Sequence, residues 1–439
     1  MKIIVEFRLK LCYSKVVEDA RTAGIWKPAE ENFPQNGNFQ RKGVFYYRNP
    51  LSQPEGFPKN ARIEYNSVQI WKGGRSMFRR KRKLRGMLLP ALLLAGLFIW
   101  QFVHREREYT LDTFAMGSYV RQTLWGREPD EAAADTVQRI EQLEREISWR
   151  RDGDIGKMNA QAGGEPVTVE DTGELLEELL ELSERSGGAL DITLGPVTRL
   201  WDFDGEPRLP DPGELEEALA LVDYRKLSMD SEEYMYAVPN EDGSHLDCIG
   251  TRYHVSLKEP GMALDLGAVG KGAACDEAAE TIYREGISGM VASVGGSVCL
   301  RGEKPDGEPF RVSVRDPKGN PAESLGVLEL DGGCISTSGS YEKYFEQDGK
   351  RYHHILDPRT GYPAESGLLS VTVWCPPELD CKYPGALSDG LATACFVLGL
   401  EDGQKLLESY GAEGIFIGDD GKLTVTEGLK GRFTPREDG

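Results

Sequence analysis

Histidine is scarce in this chain, at 5 of 439 residues, and the 8 cysteines include no C-x-x-C pair. Cys12, Cys248, Cys275, Cys299, Cys334, Cys375, Cys381 and Cys395 share no zinc-type spacing with histidines, which excludes a zinc finger or ribbon. No period recurs along the sequence, so a solenoid or propeller is excluded. Net positive charge is missing past residue 103. Residues 1–103 carry 19 Lys+Arg against 7 Asp+Glu, so the whole-chain value of −20 leaves −32 for residues 104–439. That balance excludes nucleic acid as a partner, because phosphate binding needs clustered Lys and Arg. A small phosphorylated ligand in one local site remains compatible with it.

The absence of charge is itself informative in residues 86–103, GMLLPALLLAGLFIWQFV, which come directly after the basic run Arg79-Arg80-Lys81-Arg82-Lys83-Leu84-Arg85. Eighteen uncharged residues behind a basic flank predict an export signal or membrane anchor with its basic end in the cytoplasm. No Cys follows Leu94-Ala95-Gly96 and no small-x-small cleavage site stands out, which favours an uncleaved anchor and an extracytoplasmic position for the remainder of the chain. Residues 1–76 show no period and few apolar clusters. Met77 would be an ordinary start for an anchored protein, so residues 1–76 are read as an extension of doubtful translation, 77–103 as the basic region plus anchor, and 104–439 as the exported domain.

Within that domain, helical and strand-like segments interleave. Residues 110–126 read as strand, turn and strand around Met116-Gly117-Ser118, and 131–147 place Ala134, Val137, Ile140, Leu143 and Ile147 at helical spacing. A second helix runs from Gly173 and stops at Gly187-Gly188, as a helix end should. Short alternating runs at 262–266, 289–294, 310–314, 326–330 and 369–374 predict strands, and 273–283 and 386–398 predict helices. The interleaving of helices with mostly alternating strands implies an α+β fold with mixed or antiparallel sheets. Several cysteines lie in apolar runs, such as Ala394-Cys395-Phe396, and read as buried thiols. Cys375 and Cys381 are the pair that sequence proximity would join.

Residues 337–363, TSGSYEKYFEQDGKRYHHILDPRTGYP, concentrate chemistry-bearing side chains. Neighbours in a strand point to opposite faces, so only one of His353 and His354 can face a given pocket. Asp357-Pro358-Arg359-Thr360-Gly361 reads as a turn, with Pro restricting φ and Gly free to make it positive. Asp265-Leu266-Gly267-Ala268-Val269-Gly270-Lys271-Gly272 precedes a helix and could bring amides and a lysine to an anion, or be a glycine-rich turn with a solvated lysine. It is not a Walker A loop, since Gly rather than Ser or Thr follows Lys271. Asp389 and Thr393, four apart on the last of these helices, offer hard oxygen donors suited to Mg²⁺, or form an exposed Asp beside a Thr bonding back to its helix. The loop from Gly188-Ala189-Leu190-Asp191 to Pro196, with Trp201, could hold a heteroaromatic ring or be an Asx turn with an anchoring Trp. Val294-Gly295-Gly296-Ser297 makes room for a ligand or is a simple bulge.

Taken in order, Met116-Gly117-Ser118, Asp191-Ile-Thr-Leu-Gly-Pro with Trp201, the 265–272 motif, Val294-Gly-Gly, Thr337-Ser-Gly, His354-Ile-Leu-Asp-Pro-Arg-Thr-Gly and Ser388-Asp-Gly-Leu-Ala-Thr resemble the FAD:protein FMN transferases of the ApbE type. The resemblance covers residues 109–434 and implies an α+β flavin transferase domain dependent on Mg²⁺. Such enzymes split FAD, attach FMN to a Thr or Ser of an acceptor protein and release AMP. Their acceptors are typically flavin subunits of membrane redox complexes.

Motif by motif, the resemblance assigns the metal to Asp389, Thr393 and the Ala268 carbonyl, and FAD contacts to Lys271 and Asp265. Met116, Trp149, Ala189, Leu190 and Asp191 would line the flavin or adenine site. His354, followed by Ile355, matches the histidine proposed near the reacting phosphate, with a pKa range suited to a base. Asp389 and His354 are therefore the expected catalytic pair. The departures are Gly270, Ala268 and Ser297, the last standing where Asp is common. Two other readings use the same residues: an FAD-storing protein without transfer, and an FAD pyrophosphatase releasing FMN and AMP.

Overall fold

Alternating residues start the fold at β1 (Arg107–Ala115) and β2 (Ser118–Gly126), an antiparallel pair in register from Arg107–Gly126 to Ala115–Ser118. Met116 and Gly117 turn the chain with φ of 54° and 64°, the two positive values a primed hairpin turn requires. This computed structural model describes residues 106–239, 245–283, 286–320 and 323–436. The expected extension over 1–76 and the anchor over 77–103 lie outside the described residues. No helix among the described residues is long and apolar enough to cross a membrane.

α1 (Pro129–Ile147) opens on a proline, with Asp130 and Glu131 in its first turn and Arg145 in its last, all matched to the helix dipole. It buries Ala132, Ala133, Thr136, Ile140 and Ile147. Next come α2 (Asp154–Ala160), β3 (Val167–Val169), α3 (Asp171–Arg185), α4 (Gly195–Trp201) and α5 (Pro212–Leu219). The long hairpin of β4 (Leu227–Pro239) and β5 (His245–Leu257) pairs with β3 as a three-stranded sheet ordered β3-β5-β4. Sequence patterning misses this hairpin, because Glu232, Glu233, Met235 and Tyr236 are exposed on both faces and leave no apolar alternation to detect.

α6 (Gly270–Ala279) precedes β6 (Ile287–Val294), β7 (Ser297–Gly302), β8 (Phe310–Arg315), β9 (Ser324–Leu330) and β10 (Gly333–Gly339). A small hairpin, β11 (Tyr344–Gln347) and β12 (Lys350–His353), leads to β13 (Leu368–Cys375). The chain then runs through α7 (Pro384–Leu398), α8 (Leu400–Tyr410), β14 (Glu413–Gly418), β15 (Leu423–Val425) and β16 (Phe433–Pro435). Eight strands form the main sheet in the order β1-β2-β6-β7-β10-β13-β14-β15, and each adjacent pair is antiparallel.

Helices and a second sheet cover the two faces of the main sheet. On one side α6 packs over β6 and β7, and α7 over β10 and β13. On the other, Trp125, Leu300, Ile335, Trp374 and Ile415 meet Phe310 and Leu328 of β8 and β9. Burial on both faces explains why β13, LLSVTVWC, carries few polar residues.

α7 is buried almost all round. Its small residues let α6 approach so closely that a Cβ on Gly272 would lie 2.0 Å from the Gly385 carbonyl oxygen. At the same crossing, Gly385 N (2.7 Å) and Ala386 N (2.8 Å) donate to the Asp276 carboxylate, which thereby caps α7. Burial still pushes that carboxyl up to about 8.

Two expectations are corrected. Residues 262–266 form no strand: one isolated parallel bridge, Leu194–Ala263, holds them, while the Asn159 side chain takes the Leu264 backbone bonds that a ladder would use. Cys375 and Cys381 are not bonded, because Cys381 leaves the sheet toward Glu178 of α3. The disulfide joins Cys299 and Cys334, which face one another across β7 and β10. The 357–361 turn forms as expected: Thr360 N and Gly361 N donate to the Asp357 carbonyl, and Gly361 has φ 71°.

Candidate active site

The site is built where α6 and α7 cross above β7 and β10. Asp389 of α7, 4% exposed, accepts from Gly272 N at 2.6 Å on one carboxylate oxygen and from Ser297 Oγ at 2.6 Å on the other. Gly272 lies in the first turn of α6, where backbone amides have no acceptor within the helix, and Asp389 supplies one. Ala268 sits exposed just before α6. One turn on from Asp389, Thr393 Oγ1 shares a 3.1 Å hydrogen bond with Ser338 Oγ of β10, and Ser388 Oγ pairs with Ser336 Oγ at 2.8 Å. Two neighbouring strands thus present hydroxyls to Ser388, Asp389 and Thr393 of one helix.

Lys271 follows Gly270 at the start of α6 and passes the β6–β7 turn. A Cβ on Gly295, which has φ 58°, would meet Ser118 Oγ at 2.6 Å and Lys271 Cδ at 3.2 Å, so only glycine fits between them. Met116 Cε would lie 2.9 Å from a Cβ on Gly270, which places the β1–β2 turn beside the same helix end.

His353 and His354 diverge, as strand geometry requires. His353 is buried edge-on to Phe396, with Nε2 at 3.2 Å from the Ala364 carbonyl. His354 is half-buried and donates from Nδ1 to the Lys343 carbonyl at 3.2 Å, which leaves Nε2 as the basic nitrogen. Burial, followed by the positive charges of Lys343 and Lys271, lowers its pKa to about 4. The imidazole is therefore neutral at physiological pH. Ile355, next in the chain, is buried and accepts from Ala364 N through its carbonyl.

Of the remaining predicted residues, Asp265 and Trp149 form a second, adjoining wall. Asp265 accepts from Thr198 Oγ1 (2.6 Å) and Gly267 N (2.8 Å), and its charge acts on Arg199. Arg199 and Arg150 stack on Trp149 at 4.8 and 4.4 Å from the ring centroid. Arg150 pairs with Asp202 and Asp204, and Asp204 with Lys343 at 2.6 Å, so an ionic chain connects Trp149 to the His354 neighbourhood.

Asp191 points into its own loop. It accepts from Thr193 N and Oγ1 and from Tyr224 N, and burial raises its pKa despite those bonds. Ala189 and Leu190 are core residues, with Leu190 Cδ2 3.3 Å from the Cβ position of Gly390 on α7. Trp201 anchors the 357–361 turn by donating from Nε1 to the Gly361 carbonyl at 2.8 Å.

Comparison with known proteins gives this arrangement a family. The sequence profile described as the ApbE family matches residues 116–416. The chain belongs to the ApbE family. Among its relatives, a protein of Treponema pallidum (strain Nichols) named FAD:protein FMN transferase is 32% identical over 345 residues, covering 75% of this chain and 89% of that protein. One of the same name from Klebsiella pneumoniae (strain 342) is 32% identical over 339 residues, covering 74% and 87%. Solved structures agree on the fold: the ApbE protein of Thermotoga maritima has a TM-score of 0.62 at 28% identity, and the flavin transferase ApbE of Vibrio cholerae 0.62 at 26%, each covering 75% of this chain and all of the other.

In this ApbE family member the residues that sequence reading misses are the β10 hydroxyls, Ser336 and Ser338, and the use of Ser297. A signal for the first two exists in Ser336-Thr337-Ser338, whose alternation places both serines on one face. In the sequence Ser297 registers only as the loss of an acidic residue. It serves Asp389 as a hydrogen-bond donor instead.

The donor set suits a divalent cation on one particular ground. A buried carboxylate costs several kcal/mol unless paired, yet both Asp389 partners are neutral, and none of the ion pairs among the described residues involves it. Its oxygens retain lone pairs for a metal. A second cluster, Asp276 with Cys299 and Cys334, has ligand atoms within 4.8 Å of one another. Its two sulfurs are bonded to each other and so are not thiolate ligands.

Proposed function

We propose that the protein transfers FMN from FAD to a Thr or Ser hydroxyl of an acceptor protein, with release of AMP and dependence on Mg²⁺. The observation that carries this reading is Asp389, a buried carboxylate without a cationic partner, one helical turn from Thr393 and fastened to the start of α6, where Lys271 projects. Asp389, Thr393 and the Ala268 carbonyl would hold the metal, which when bound supplies positive charge to the pyrophosphate and neutralises what develops on it.

The chain's own groups account for the other requirements. Lys271 adds charge to the phosphates as a point cation. Trp149 carries Arg150 and Arg199 over its ring, Met116 borders the start of α6, and Leu190 packs against Gly390 of α7. Neutral His354 takes the acceptor hydroxyl proton at Nε2 as that oxygen attacks the FMN phosphorus. The bond from that phosphorus to the bridging oxygen breaks, and AMP leaves with the oxygen.

The composition of the chain suits acceptors other than nucleic acid, and the family resemblance points to flavin subunits of membrane redox complexes. An anchor at residues 77–103 would place the 104–439 domain on the extracytoplasmic side of a bacterial membrane. The Cys299–Cys334 disulfide supports an oxidising compartment.

Incubation of the protein with FAD, MgCl₂ and a flavin-acceptor domain, followed by denaturing electrophoresis, tests the reading. Covalent flavin fluorescence on the acceptor is the expected result. Free FMN and AMP without labelled acceptor would point to hydrolysis, and intact bound FAD to storage; either would overturn transfer.

A further inference from the structure

The two strands that hold the metal-site helix are barely held to each other by backbone. β7 and β10 share three residue pairs, Gly333–Leu300, Cys334–Cys299 and Ile335–Val298, and the ladder ends there. The hydroxyls that reach α7 lie beyond it. Ser297 shares its face with Cys299, two residues away, and Ser336 and Ser338 share theirs with Cys334. From these positions Ser297 reaches Asp389, Ser336 reaches Ser388, and Ser338 reaches Thr393. The covalent link between the strands is the Cys299–Cys334 disulfide, with its Cα atoms 4.2 Å apart.

We propose that this disulfide is a positioning element of the metal site: by tying β7 to β10 it sets the spacing between the serine that orients Asp389 and the serine that orients Thr393. The inference rests on the metal reading given above. The bridge is well kept for such a role. Cys299 and Cys334 are 0% and 1% exposed, and Cys375, opposite Cys334 on β13, is a free thiol whose burial holds it protonated and therefore slow to attack the bridge. A bond that only stabilised the fold would have no reason to affect metal affinity once the protein is folded. One that spaces the ligand-bearing helix must affect it.

The test uses the full-length chain, oxidised or treated with a water-soluble phosphine, and the C299S/C334S variant. Alkylation under denaturing conditions, read by mass, should label two more cysteines after reduction. With FAD present and well below the melting temperature, Mn²⁺ binding followed by calorimetry should weaken about tenfold in the reduced and double-serine proteins, the scale seen when outer-shell support is lost. FAD binding in metal-free buffer should be unchanged, and C375S, with the bridge intact, should match wild type.

A lowered melting temperature with unchanged Mn²⁺ affinity would overturn the proposal, as would equal alkylation with and without phosphine when both steps are carried out in denaturant. If the double variant does not fold, the phosphine-treated wild type gives the same reading. Asp389→Asn separates the two levels of inference. Mn²⁺ binding that survives that change refutes the metal site itself, whereas binding lost there but indifferent to reduction refutes only the role of the bridge.

Discussion

Replacing Asp389 by Asn separates fold from chemistry, because the structure lets the two effects be worked out independently. The side chain is nearly isosteric and its two partners differ in kind. Gly272 N can only donate, whereas Ser297 Oγ can donate or accept. An Asn oxygen can therefore keep the Gly272 bond while its NH₂ donates to Ser297 Oγ, with the hydroxyl reversing its role. Both hydrogen bonds survive, and a buried charge is removed. The expected folding cost is below about 1 kcal/mol, and its sign can favour the variant, since buried charges without paired counterions are unfavourable.

Transfer should behave differently. Losing the one carboxylate of the metal set removes charge stabilisation whose loss at comparable sites costs on the order of 10³ in rate, or about 4 kcal/mol at 1.36 kcal/mol per decade. The assay pairs metal-free thermal melting with acceptor labelling at saturating FAD. A folded variant with full labelling would refute the metal site. A variant that fails to fold without metal would show instead that the carboxylate is a structural part of the helix crossing.

Gly272→Ala should destabilise the protein by about 3 kcal/mol in denaturant titration, because the added Cβ would fall 2.0 Å from a backbone oxygen of Gly385 and neither helix can give way cheaply; wild-type stability would refute the close crossing. For His354, the depressed pKa of about 4 means that the neutral base persists down to about pH 5, so the pH profile of single-turnover transfer should lack a limb near 6.5. Between about 6.5 and 4 the unfolded chain binds this proton and the folded one does not, so His354 also makes stability fall as pH drops through that window. A limb at 6.5 that vanishes in His354→Asn would show an ordinary exposed imidazole. Trp201→Phe removes the donor to the Gly361 carbonyl in a buried setting and should cost about 1–3 kcal/mol; an unchanged denaturation midpoint would show that the indole bond does not hold the 357–361 turn.

Many of these features are legible along the chain because the relevant interactions are local or periodic. Helical spacing puts Asp389 and Thr393 on one face but leaves a metal pair and an exposed Asp both open, whereas the 357–361 turn is legible from its Pro and Gly, and the divergence of His353 from His354 from the two-residue period of a strand. The strands at 289–294, 310–314, 326–330 and 369–374 and both flanking helices fall where the apolar pattern puts them. The motif order in turn points to the family. The β4–β5 hairpin is not legible, since a strand exposed on both faces has no alternation to read. Residues 262–266 look like a strand and are not one, because their backbone partner is an asparagine side chain from α2.

Residue types, their spacing and their order by themselves determine an α+β domain of the ApbE family and the set of side chains from which a site can be made. Tertiary structure alone decides which of them share a site and in what state. It buries Asp389 rather than exposing it, gives Ser297 a carboxylate to serve, turns Asp191 inward as a loop fastener, and joins Cys299 to Cys334 instead of Cys375 to Cys381. The physical reason is common to all four. Burial, hydrogen-bond partnership and sulfur pairing depend on distances between strands and helices far apart in the chain, and sequence proximity does not encode those distances.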